Sequence, residues 1–168
     1  GIRYIPTNTN TVIRLPLFFA GSLIFSVFRL IFYWEEKTGD SNMQKGKELE
    51  AQINKLINYI NANGYHAHKN NPCRTQSGKF IAGEPFDFEI FTDTYHCVFD
   101  AKECHDMVWR LKPKDIKQAE NLKHCKNAGM DAFFLIYFFP LRKLLKIDVD
   151  KVIEILKSGV KSVPSKYG

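Results

Sequence analysis

The sequence predicts an α/β domain in which a central mixed β-sheet is flanked by α-helices. Three observations predict it. Apolar residues recur at helical spacing between residues 44 and 63. Two segments of alternating polarity, 86–91 and 95–102, flank a short polar turn, as in a hairpin. Residues 132–139 (AFFLIYFF) form an unbroken apolar run, as expected of a central strand buried on both faces.

The elements follow in order. In the first helix Leu49, Ile53, Leu56, Ile57 and Ile60 fall at i, i+4, i+7, i+8 and i+11, one apolar stripe. Asn63-Gly64 is its stop, with glycine just past the end. Residues 65–69 alternate and predict a short strand. Residues 70–83 are loop-rich and basic, with Arg74 and Lys79 and no acid. After the hairpin, Pro113 opens a second helix that runs to about Asn127 and ends at Gly129. The central strand comes next, then an edge strand over 143–147. Asp148 caps a last helix, 149–157, ended by Gly159. The order α-β-β-β-α-β-β-α calls for a mixed sheet with flanking helices.

Composition narrows the function. With 45% apolar and 25% charged residues in 168, the chain is neither disordered nor collagen-like. The net charge of +6 suits a phosphate-rich partner. Four cysteines, with no C-x-x-C pair, exclude a disulfide scaffold and argue against a zinc ribbon. A reduced, cytoplasmic protein is expected.

Residues 1–42 stand apart. Residues 15–34 form a 20-residue apolar run with one charge, Arg29, long enough to span a bilayer. The candidates are a membrane anchor, an extra core or interface helix, and upstream sequence translated in error. The third is expected, because the first methionine, Met43, immediately precedes the patterned helix. Residues 43–168 are then the functional domain, and the membrane is a partner only if 15–34 is a genuine segment. Without 1–42 the surplus is still +5, so the basic character lies in the domain.

The hairpin carries the functional argument. A two-residue loop at Asp93-Thr94 pairs Thr92 with Tyr95, and a four-residue loop gives the same register. Phe88 then meets Phe99, Ile90 meets Cys97 and Phe86 meets Ala101, all apolar on apolar. A slip of one residue would break every pair. This register sets Asp87 opposite Asp100, with Cβ atoms about 4.5–5.5 Å apart. Two carboxylates so placed repel, and a hard divalent cation removes the conflict. Lys102, two residues on, shares their face and can hold or polarise a water. The bland alternative is a solvated face with an ordinary lysine partner. Glu50, beside Leu49, and Gln118, in line with Leu122 and Cys125, add polar groups on the two helices that must cover the sheet.

These residues resemble a known pattern. G-K-E-L-E (residues 46–50), P-F-D (85–87), F-D-A-K (99–102), a helix with Gln118 and the strand A-F-F-L-I occur in the order of the PD-(D/E)-x-K nuclease superfamily. Within it, the chain is most similar to RecU-like Holliday-junction resolvases, over residues 44–157. The resemblance implies a restriction-endonuclease-like core and a Mg²⁺-dependent endonuclease, with Mn²⁺ as the other candidate ion. It implies that Asp87, Asp100 and the carbonyl of Ala101 bind the metal and that Lys102 orients or activates the attacking water. Glu50 would complete the site, with Glu48 as rival, and Gln118 would support it. It further implies a homodimer that cuts opposing strands of branched DNA, the four-way junction, leaving a 5′-phosphate and a 3′-hydroxyl. Two features depart from the group: Asp100 stands where it usually carries Glu, and the segment before Asp87 is too short for the long stalk of cellular RecU. Another nuclease on the same core, acting on nicked or single-stranded DNA, and a non-catalytic DNA-binding protein are the alternatives.

Arg74, Lys79, Lys112, Lys114, Lys117 and Lys123 are candidates for phosphate contacts, which position the backbone and read no sequence. His66 and His68 share a strand face, with no third ligand indicated by the sequence. Cys104-His105 invites a nucleophile–base reading, but adjacent strand residues point to opposite faces. Trp109 is open between a base stack, a dimer contact and the core.

Overall fold

The computed structural model of the protein describes residues 3–5, 13–15, 47–71, 75–78 and 85–167. They fall into two units, residues 1–66 with 92–95 and residues 67–91 with 96–168.

In the first unit, β1 (Arg3–Ile5) and β2 (Ile13–Leu15) pair antiparallel, and α1 spans Glu48–Ala62. Leu49, Ile53, Leu56, Ile57 and Ile60 are all buried, the stripe the periodicity predicts. The side-chain amide of Asn63 donates to the Tyr59 carbonyl at 2.8 Å, and Gly64 then turns the chain at φ +82°, a conformation that L side chains resist. The expected start at Gln44 lies outside the described residues. So do residues 16–34 of the apolar run. Among the described residues no helix is long and apolar enough to cross a membrane.

Apart from His66, the first residue of β3, the second unit holds a five-stranded sheet in the order β3 (His66–Lys69), β4 (Phe88–Phe91), β5 (His96–Cys104), β7 (Asp131–Phe138), β8 (Lys143–Asp148). The β4–β5 hairpin is antiparallel and pairs Phe88 with Phe99 and Ile90 with Cys97, the predicted register. Its turn closes by a bond from the Thr92 amide to the Tyr95 carbonyl at 2.8 Å. β5 and β7 run parallel, joined through α2 (Pro113–Asn127), and β7–β8 is antiparallel, so the sheet is mixed. Residues 132–138 are buried throughout, as a central strand requires, and β8 lies at the edge. Asp148 caps α3 (Val149–Lys157) by accepting from the Asp150 amide at 2.8 Å.

One face of the sheet presents Val98, Phe134, Ile136 and Leu145, packed with Leu122 of α2 and Val152 of α3. The opposite face carries a stack of parallel rings, Phe88 on Phe99 on Phe133, at centroid distances of 5.2 and 5.0 Å.

Two details depart from the sequence expectation, and one of them settles a point the sequence left open. Phe86 does not share the face of Phe88 or pair with Ala101. The chain bends at residues 85–87, and Phe86 packs with the Val98–Phe134 cluster instead. β6 (Val108–Arg110) pairs with β9 (Ser162–Pro164) in a second small sheet that the pattern does not announce. That pairing settles Trp109: it lies opposite Val163, is 6% exposed, and rests 5.0 Å from the Phe134 ring, so it belongs to the core.

Candidate metal and nuclease site

The hairpin ladder ends at Phe88, and the next position in register holds the two candidate carboxylates. Asp87 stands opposite Asp100, but its amide does not bond to the neighbouring backbone. It donates to Asp100 Oδ1 at 2.9 Å. The Asp87 carbonyl accepts from the Asn70 amide at 2.8 Å, which ties the bend down from the other side. Asp100 is fully buried, and its second oxygen, Oδ2, has no hydrogen-bond partner.

Burial of a carboxylate without full compensation favours its protonated form. Burial first, and the charge of Asp87 second, push the Asp100 carboxyl up to about 7; the Lys102 ammonium and the bond from the Asp87 amide oppose them. A buried, under-coordinated carboxylate oxygen beside a second carboxylate matches the donor set that a hard divalent cation takes. The residues present therefore fit a hard divalent cation.

Lys102 projects from β5 on the side of Asp100, over the Phe134 ring at 5.8 Å to the centroid. Two residues of α2 hold it. Its Nζ donates to Gln118 Oε1 at 2.5 Å and makes an ion pair with Asp115 Oδ1 at 3.1 Å. Gln118 is thus bonded directly to Lys102.

Asp115 is the residue that sequence reasoning missed. Its side chain is 3% exposed. It is the third residue of α2, and its Oδ2 accepts from the Lys112 amide at 2.9 Å, closing the helix start. Read from the chain alone, an aspartate there serves the helix end. Nothing in the sequence says that its other oxygen faces Lys102.

The remaining candidates divide. Lys112, Lys114 and Lys117 are exposed at the start of α2, the end that supports Lys102. Lys123 is engaged with Asp150 at 2.6 Å. Arg74 and Lys79 lie outside the described residues. Glu50 and Glu48 occupy the first turn of α1, in the other unit, and both are half-buried. Cys104 donates to the carbonyls of Asp106 and Val108, while the His105 ring stacks on Phe139 at 4.5 Å, so the two do not act as a nucleophile–base pair.

The model of the family described as Recombination protein U matches residues 35–167. Among solved structures the chain is similar to Hjc, a Holliday junction resolvase from the archaeal hyperthermophile Archaeoglobus fulgidus. That match has a TM-score of 0.39 and 15% identity and covers 58% of this chain and 70% of that one. No curated protein matches the chain.

Proposed function

The chain belongs to the recombination protein U family, and from that premise we propose that it is a metal-dependent endonuclease that hydrolyses phosphodiester bonds at four-way DNA junctions. The observation that carries the reading is Asp100: a fully buried carboxylate with an unpartnered oxygen, set opposite a second carboxylate. A fold built only for stability gains nothing from that arrangement.

Asp87, Asp100 and the carbonyl of Ala101 would hold Mg²⁺, with Mn²⁺ as substitute. When bound, the ion would neutralise charge on the carboxylates and on the non-bridging oxygens of the phosphate whose phosphorus is attacked. Lys102, held in its ion pair with Asp115, donates to the attacking water or to a phosphate oxygen. Gln118 and Asp115 fix its reach, so the ammonium waits in position when the phosphate arrives. Water attacks in line, the bond to the 3′ oxygen breaks, and a 5′-phosphate and a 3′-hydroxyl are left. Glu50 is the helix carboxylate that the family likeness assigns to this chemistry. Lys112, Lys114 and Lys117 contact the DNA backbone, and a homodimer supplies the two active sites that opposing strands need.

The test is the full chain with a synthetic four-way junction, in Mg²⁺ and in EDTA. Paired, symmetric nicks with 5′-phosphate ends, present only with Mg²⁺, are expected. Equal cutting of linear or single-stranded DNA would replace junction specificity with general nuclease activity. Binding without cutting would overturn the enzymatic reading.

A further inference from the structure

A second set of chemistry-bearing side chains, separate from Asp100 and Lys102, comes together where β3, β4 and β5 adjoin. Asn70 fixes how it must be read. Its Nδ2 donates to the Phe86 carbonyl at 2.9 Å, so its Oδ1 is the end turned to His68. His68 Nε2 lies 2.5 Å from that oxygen and is therefore the ring nitrogen that donates. In a neutral imidazole the other nitrogen then carries a lone pair. That nitrogen, Nδ1, lies 3.7 Å from Glu89 Oε2, another lone-pair donor. The second oxygen of Glu89, Oε1, is held by His96 Nε2 at 2.8 Å.

Two electron-rich atoms face each other here, each braced from behind by a hydrogen bond. We propose that His68 Nδ1 and Glu89 Oε2 are ligands of a divalent transition-metal ion of the zinc or cobalt class. Imidazole with carboxylate is a donor set those ions favour and Mg²⁺ does not. Arms of ~2.0–2.2 Å at a tetrahedral angle place ligand atoms roughly 3.4 Å apart, near the observed separation. Asn70 and His96 stand where the supporting partners of metal-bound histidines and carboxylates stand. Water completes the set. The side chains of His68 and Glu89 are 43% and 22% exposed, so an ion has access. The proposal does not depend on the nuclease reading, since it uses none of Asp87, Asp100 or Lys102.

The experiment is a Co²⁺ titration of the full chain in excess Mg²⁺ near pH 7.5, followed by visible d–d absorption. One Co²⁺ per chain at micromolar concentration is expected. Binding should fall at least tenfold in His68→Ala and Glu89→Gln and persist in Asp100→Asn. A wild-type measurement guards against variants that fail to fold: stoichiometric Zn²⁺ should shift the His68 ring ¹⁵N resonances. Absence of Co²⁺ uptake, uptake unchanged in both variants, loss of uptake in Asp100→Asn, or a His68 ring that keeps a proton on Nδ1 through Zn²⁺ addition would overturn it.

Discussion

Replacing Asp100 by Asn should make the metal-free protein more stable at pH 8 while abolishing cleavage. The carboxyl is raised from 3.8 to about 7 by burial and by Asp87. The folded state therefore keeps a proton that the unfolded chain has already lost. Stability is intact below the unfolded value near pH 4 and falls as pH rises toward 7, after which it levels off. At ~1.4 kcal/mol per pH unit, the span corresponds to about 4 kcal/mol. An asparagine keeps the acceptor for the Asp87 amide and removes the charge. Its Nδ2, buried without a partner, gives back ~1–3 kcal/mol. The net gain is about 1–3 kcal/mol at pH 8, or a rise of ~2–10 °C in Tm for a chain of this size. The assay is thermal unfolding of wild type and variant in EDTA at pH 5 and pH 8. The variant's advantage should appear at pH 8 and vanish at pH 5. Added Mg²⁺ should raise the Tm of the wild type at pH 8 and leave the variant unmoved. If the variant melts below wild type by the same margin at both pH values, the carboxylate is not under electrostatic stress, and no cation is needed to relieve it.

Other expectations follow from the same geometry. Lys102→Ala should lower turnover by ~10²–10⁴-fold with little change in junction affinity, measured as kcat against Kd. Asp115→Asn, which removes the ion pair and leaves the bond to Gln118, should lower turnover by about tenfold; unchanged turnover would show that the ion pair does not position Lys102. Changing Lys112, Lys114 and Lys117 together to Gln should flatten the dependence of log Kd on log salt, by about one unit for each phosphate no longer neutralised. Phe99 is fully buried between the rings of Phe88 and Phe133, so Phe99→Ala should destabilise by ~3–5 kcal/mol in urea unfolding.

Much of the site is legible without coordinates, because it rides on two periodicities. The period of two along 88–91 and 96–102 sets the hairpin register, and with it the opposition of Asp87 and Asp100. The helical period aligns Gln118 with Leu122 and Cys125, so a helix whose apolar stripe lies on the sheet carries that glutamine to Lys102. Periodicity fails where the chain leaves regular structure. Strict alternation puts Phe86 on the wrong face because it does not survive the bend at 85–87. Trp109 stays open in the sequence because its strand pairs with one more than fifty residues away, a pairing with no local signal.

The chain alone determined which side chains would share a face and in what register, since those follow from backbone geometry repeated every few residues. Only the tertiary structure decided what each polar atom meets: Asp115 serving both its own helix and Lys102, Asn70 choosing the donor nitrogen of His68, and Asp100 left with one oxygen unanswered. Hydrogen bonds act over about 3 Å and depend on angle, so they are fixed by how distant segments dock and not by the spacing of residues along the chain.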